Sequence, residues 1–150
     1  MLKVACIPAF NVETMIHDVV TRSKKAVDMV IVCDDGSDDD TIKQASKAGA
    51  VVISHEKNLG KGAALKSLFN YCIKINADIM VTIDGDGQFL PEEIPKLTKS
   101  MIDNNSDIVI GYRFEDNEEM PAYRKIGNKF LDRMSNSISE LPFRDTQSGF

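Results

Sequence analysis

Short apolar runs punctuate the chain at Val4–Pro8, Met29–Cys33, Val51–Ser54, Ile79–Ile83 and Ile108–Ile110. Each is apolar throughout rather than alternating, the pattern of strands buried on both faces. Helical stripes fill the intervals. Ile16, Val19, Val20 and Val27 fit one face. Leu65, Leu68, Phe69, Cys72 and Ile73 recur at i, i+3, i+4, i+7 and i+8, the spacing of an amphipathic helix. Ile94, Leu97, Met101 and Ile102 make another stripe, begun by Pro91 at a first helical turn. Thr41–Ala48 is a weaker helix, stopped by Gly49. Arg113–Met120 is polar and without period, which predicts a loop, and Tyr123–Ile138 is predicted helical. Strand and helix alternating in this way predict an α/β domain spanning residues 1–150, with a mainly parallel sheet and helices on both faces. Ligands of such sheets bind beyond the carboxyl ends of the strands, so chemistry is sought in the loops that follow each strand.

Composition narrows the classes. With 43% hydrophobic residues the chain can bury a core. Its net charge is −5, from 23 acidic and 18 basic residues, whereas a nucleic-acid surface needs a basic face. Nucleic acid is therefore not an expected partner. The acids bunch at Asp34–Asp35, Asp38–Asp40, Asp84–Asp86 and Glu115–Glu119, and the last of these reads as solvated loop. Cys6, Cys33 and Cys72 fall in apolar contexts without zinc-like spacing, so buried reduced thiols in a cytosolic setting are expected. The apolar start is too short for a signal peptide, since Asn11 and Glu13 follow at once. No run approaches the roughly 20 apolar residues of a membrane span, so any membrane is met from the side or through a part outside this chain.

The loops differ in what they offer. Pro8-Ala9-Phe10-Asn11-Val12-Glu13 ends the first strand. Its aromatic can stack on a flat base, but by itself the loop reads more simply as an ordinary strand exit with Asn11 as a helix cap. Asp34-Asp35-Gly36-Ser37-Asp38-Asp39-Asp40 follows the second strand. Asp34 and Asp35 suit ribose hydroxyls or a base N–H. Asp38–Asp40 read as structural, with Ser37 or Asp38 capping the next helix. Asn58-Leu59-Gly60-Lys61-Gly62 opens the third helix. It suits an anion, because unpaired N–H groups and the helix dipole point at it; it is equally a tight turn, and the two roles are compatible. It matches neither the Walker loop nor the dinucleotide fingerprint.

The sharpest local signal is Asp84-Gly85-Asp86-Gly87-Gln88 after the fourth strand. Two carboxylates leaving a buried strand are costly unless paired, and an acidic pair of this kind can hold Mg²⁺ or Mn²⁺ with positions left for substrate phosphates. A plain acidic turn is the competing reading. Arg113 and Arg124 are isolated cations suited to phosphate, or to surface ion pairs of little consequence. His17 reads as helix surface and His55 as a strand end.

Taken in order, these loops resemble glycosyltransferase family 2. Ile7-Pro8-Ala9-Phe10-Asn11, Asp34-Asp35-Gly36-Ser37, Asn58-Leu59-Gly60-Lys61-Gly62, Asp84-Gly85-Asp86-Gly87-Gln88, Gly111-Tyr112-Arg113, Arg124-Lys125-Ile126-Gly127-Asn128 and Asp145-Thr146-Gln147-Ser148-Gly149-Phe150 carry the likeness. The later ones resemble the branch that loads sugar onto a polyprenyl or dolichyl phosphate. The resemblance implies a GT-A fold, a Rossmann-like sheet, and a nucleotide-sugar-binding catalytic domain cut short at its C-terminus. It implies a donor site of Pro8, Ala9, Phe10, Asn11, Glu13, Asp34, Asp35, Lys61, Asp84 and Gly85. It further implies a metal, Mg²⁺ or Mn²⁺, on Asp84 and Asp86 with Gln88 close by. Asp86, Arg113, Arg124 and Asp145 would serve catalysis, the arginines on phosphates of donor and acceptor. Val12 stands where this branch usually has an acid after Asn, which implies that base recognition either rests on Glu13 or is altered.

The implied partners are a UDP-glucose or GDP-mannose donor, a polyprenyl or dolichyl phosphate, and a membrane met from its cytoplasmic face. The implied reaction inverts the anomeric carbon. A phosphate monoester with a second pKa of about 6 is already a nucleophile at neutral pH and needs no base; Arg144 precedes Asp145 where hydroxyl-directed relatives carry an acidic pair. The alternatives are a hydroxyl-directed transferase with Asp145 as base and a non-catalytic nucleotide-sugar-binding fragment. A haloacid-type phosphatase fits less well, given Gln88 and the mid-chain position of the acidic pair.

Overall fold

In a computed structural model of the chain, residues 1–111 are described. Strands β1 (Lys3–Ala9), β2 (Met29–Asp34), β3 (Val51–Ser54) and β4 (Ile79–Thr82) alternate with helices α1 (Ile16–Ser23), α2 (Thr41–Lys47) and α3 (Lys61–Lys74). After β4 a single 3₁₀ turn, Pro91–Glu93, leads into α4 (Ile94–Asp103). The strands form one parallel sheet in the order β3-β2-β1-β4. Fold class therefore matches the expectation from alternation.

The reason the strands are apolar throughout is visible in the two cores. Ala5, Ile7 and Ala9 of β1, with Val30 and Val32 of β2, pack with Ile16, Val19 and Val20 of α1 and Ile94 of α4. Val4 and Cys6, with Ile31 and Cys33, turn to the other face and pack against Ala64, Leu68 and Cys72 of α3. Alternate residues serve opposite cores, so neither face tolerates a polar position. All three cysteines are buried free thiols, and Cys6 Sγ lies 3.3 Å from Cys72 Sγ. Burial pushes the Cys6 and Cys72 thiols above their ordinary range, which keeps them protonated and unreactive.

Some expectations change. On α3 the core row is Ala64, Leu68 and Cys72, whereas Phe69 and Ile73 are 53% and 73% exposed. The periodic stripe is wider than the face the sheet can cover. Val27 lies past the end of α1, only partly buried against the core, and Ser23 takes the expected fourth position in the helix. Ile108–Ile110 forms no strand: Ile108 is 75% exposed, and among the described residues no strand pairs there. An apolar run becomes a strand only when a ladder partner is at hand. The helix expected over Tyr123–Ile138 and the acidic loop Glu115–Glu119 lie outside the described residues.

Two devices hold the loops that follow the strands. Arg22 of α1 donates from Nε and Nη2 to Glu92 at 2.8 and 2.6 Å, fastening the turn after β4 to α1; Arg22 holds the Glu92 carboxyl at about 2. The loops after β1 and β2 are laced to one another. Val12 N–H donates to Thr41 Oγ1, Asn11 N–H to Ser37 Oγ, and Glu13 N–H to Asp39. In return Asp38 N–H donates to Asn11 Oδ1 and Asp40 N–H to Glu13 Oε2.

Candidate functional site

The strand order reverses at β1, with β2 and β3 on one side of it and β4 on the other. A pocket of about 420 Å³ opens there, at the carboxyl ends of the strands. The β1 exit contributes Pro8, Ala9, Phe10 and Val12; the β2 exit contributes Asp35; the β3–α3 turn contributes Asn58 and Gly60, and the start of α3 contributes Lys61 and Ala64; the β4 exit contributes Asp84, Gly85 and Asp86. Phe10 is 44% exposed, which leaves aromatic surface for a flat ligand. Gly85 lies close against the core: a Cβ there would meet Ile7 Cγ2 at 3.3 Å and Ile16 Cδ1 at 3.4 Å.

Asp34 and Asp35 are both buried but do different work. Asp34 accepts from Ser37 N–H at 3.0 Å and from Ser37 Oγ, closing its own turn. Asp35 faces the pocket. Its Oδ1 accepts from Leu59 N–H at 3.0 Å and pairs with His55 Nδ1 at 2.6 Å, and its Oδ2 accepts from Gly60 N–H at 2.7 Å. Burial raises the Asp35 pKa, but the bonds from His55, Leu59 and Gly60 outweigh it and leave the group below its ordinary value. A carboxyl with a lowered native pKa binds its proton less readily folded than unfolded. Its stabilisation is therefore complete at neutral pH and is lost as pH falls below about 4, through the folded pKa. Urea midpoints should fall more steeply on acidification in the parent than in Asp35→Asn; identical acid limbs would contradict this.

The acidic pair is split in the same way. Lys61, first residue of α3, reaches Asp84 Oδ1 at 2.7 Å. Asp86 Oδ1 accepts from Gln88 N–H at 3.0 Å. Among the described residues no group of three or more His, Cys, Asp or Glu could hold a metal. Two hard carboxylates separated by a glycine suit a divalent cation that completes its shell with diphosphate oxygens.

Among the residues expected at the site, Pro8, Ala9, Phe10, Asp35, Lys61, Asp84, Gly85 and Asp86 line one pocket. Asn11, Glu13, Asp34 and Gln88 do not line it. Asn11 and Glu13 are engaged in the bonds between loops, and Asn11, with φ +52°, caps no helix. Asp39 rather than Ser37 or Asp38 accepts from Thr41 N–H at the start of α2. Arg113, Arg124 and Asp145 lie outside the described residues. His55, expected as a mere strand end, bonds Asp35 and Ser67. A signal for it existed: β2 and β3 pair with Asp34 opposite Ser54, so a histidine following the third run must stand beside a carboxylate following the second.

The parallel sheet, with an acidic pair beyond the carboxyl end of β4, is that of a GT-A type fold, and solved structures similar to this chain are glycosyltransferases of that fold. The chain belongs to glycosyl transferase family 2, whose model matches residues 4–147. It is 35% identical over 147 residues to an uncharacterised protein of Methanocaldococcus jannaschii, covering 95% of this chain and 60% of the relative. It is 33% identical over 164 residues to the UDP-N-acetylglucosamine–dolichyl-phosphate N-acetylglucosaminyltransferase of Methanococcus voltae, covering 95% of this chain and 65% of the relative. Among solved structures, the glucosyl-3-phosphoglycerate synthase of Mycobacterium tuberculosis with Mn²⁺ and UDP-glucose matches with TM-score 0.56 and 33% identity, covering 67% of this chain and 39% of that one. The chain thus spans less than two thirds of the length of these relatives.

Proposed function

We propose that this chain carries the donor site of an inverting transferase that moves a sugar from a nucleotide diphosphate sugar to a polyprenyl phosphate, dolichyl phosphate included. The observation that carries the reading is the convergence of Phe10, Asp35, Lys61, Asp84 and Asp86 on one pocket at the strand reversal. Phe10 stacks the base and Asp35 accepts a nucleoside donor. Lys61, at the head of α3, meets the diphosphate. Asp84 and Asp86 hold Mg²⁺ or Mn²⁺, and Asn11, Glu13, Asp34 and Gln88 shape the loops around the ligand. A divalent cation bound there supplies positive charge to the departing diphosphate.

The donor is a uridine diphosphate sugar. Support comes from the archaeal relative named for UDP-N-acetylglucosamine and the solved neighbour with UDP-glucose. The acceptor reading rests on the same archaeal relative, named for dolichyl phosphate, and places the protein at the cytoplasmic face of a membrane. Among the described residues no helix is long and apolar enough to cross one. Arg113 and Arg124 contact donor and acceptor phosphates.

Calorimetry with UDP-glucose, UDP-N-acetylglucosamine and GDP-mannose, with and without Mn²⁺, tests the donor site. UDP sugars should bind, and Mn²⁺ should tighten them by about tenfold or more. Absence of binding by every nucleotide sugar at saturating Mn²⁺ would end the reading. For the acceptor, Asp145→Asn in the full-length enzyme should cost far less than the ~10²–10⁴-fold that loss of a general base brings. A severe loss with a changed pH–rate profile would make Asp145 a base and the acceptor a hydroxyl.

A further inference from the structure

We propose that His55, held by Ser67, is a positioning residue of the nucleotide site, acting through Asp35; the inference rests on the donor-site reading. The geometry is a chain of bonds. His55 Nε2 lies 2.9 Å from Ser67 Oγ on α3, and His55 Nδ1 lies 2.6 Å from Asp35 Oδ1. The side chains of His55 and Asp35 are 15% and 4% exposed. Asp35 in turn binds the backbone N–H groups of Leu59 and Gly60. Asp35, Gly60 and Lys61 all line the pocket, so the histidine fixes one wall of it without touching that wall's ligand.

These bonds leave Asp35 one acceptor site for a ligand. A carboxylate has about four lone-pair sites. On Asp35 the Leu59 N–H and the His55 ring take both sites of Oδ1, and Gly60 N–H takes one site of Oδ2. One site remains, on Oδ2, the oxygen beside the Gly60 turn. It fits a single ligand donor, a base N–H or a ribose hydroxyl. The His55–Oδ1 bond sets the carboxylate's rotation and so decides where that last site points. Ser67 helps set the ring: its hydroxyl faces Nε2 while Nδ1 faces Asp35. The arrangement of acid, imidazole and hydroxyl is not a nucleophilic centre. Ser67 lies within α3, whose backbone N–H groups are committed to the helix, and it does not line the pocket.

The test separates the two ring nitrogens. In His55→Asn the side-chain amide can occupy the place of Nδ1 and still donate to Asp35. In His55→Gln the amide reaches the place of Nε2 and leaves Asp35 without its partner. Calorimetry with UDP, alongside thermal melts, should give His55→Asn within about threefold of the parent affinity and His55→Gln about tenfold weaker, the effect of one hydrogen bond to a charged group. A purely structural role would lower the melting temperature of both and leave their UDP affinities alike, and that result overturns the proposal. Equal affinity of His55→Gln and the parent overturns it too. Ser67→Ala, on the partly exposed flank of α3, decides the matter if a histidine variant does not fold: a several-fold weaker UDP affinity supports the relay, and parent affinity overturns it. Failure of the parent chain itself to bind UDP would strike the donor-site reading instead.

Discussion

Asp86→Asn should remove the metal-dependent part of donor binding and leave the fold intact. Asp86 uses Oδ1 to accept from Gln88 N–H at 3.0 Å, and asparagine keeps an oxygen for that bond, so the turn persists. What it loses is charge. A divalent cation held by the Asp84–Asp86 pair would keep one anionic protein ligand instead of two, and hard cations depend on that charge. We expect the tightening of UDP-glucose by Mn²⁺, about tenfold or more in the parent, to be almost wholly lost, since loss of even a supporting group at a metal site costs about 10–100-fold in metal affinity. Metal-free UDP binding, proposed above to rest on Phe10 and Asp35, should change by less than about threefold. Asp86 is a cleaner probe than Asp84, whose carboxylate also pairs with Lys61. Calorimetry with and without Mn²⁺ reads both quantities, and a variant that keeps the full Mn²⁺ increment would make Asp86 a turn residue only.

Gly36→Ala should be among the most destabilising single-methyl additions in the described residues. Gly36 sits at φ +75°, and a Cβ there would lie 2.5 Å from Lys57 C and 2.7 Å from Asn58 N. Both obstacles are backbone, so no side chain can swing aside. Left-handed strain of about 1–2 kcal/mol adds to an overpacking cost of about 1–3 kcal/mol, giving a loss near 3 kcal/mol. The displaced segment carries Asn58 and leads to Gly60, both at the pocket, so UDP affinity should fall as well. Gly60→Ala is the control. It has φ +93° but nothing within 4 Å of its Cβ, so only the backbone strain of about 1–2 kcal/mol applies. Urea unfolding of both variants checks the pair. A Gly36→Ala loss no larger than that of Gly60→Ala would mean the two loops part without cost.

The sequence alone determined the elements and the place where chemistry had to be. Val51–Ser54 was legible residue for residue as β3, a short apolar run that finds β2 beside it to pair with. Asp84 and Asp86 were legible as site candidates because they leave a buried strand, where carboxylates need a reason to be. The family itself was legible in the order of its loops, and the match over residues 4–147 agrees.

The tertiary structure decided which of two neighbouring residues does which task. Periodicity along a chain reports which side of an element is apolar, but not which loop stands beside another. Asp34 and Asp35 are indistinguishable in sequence; one closes its own turn on Ser37 and the other faces the pocket. Asn11 and Glu13 find their partners 27 residues away, across two loops. Phe69 and Ile73 fit the helical period yet miss the sheet, since the width of a core is set by its opposite layer. His55 acquires Asp35 and Ser67 only because β3 lies against β2 while α3 crosses the same face. Hydrogen bonds and ion pairs act over a few ångströms, and such proximity is created by strand order rather than by spacing in sequence.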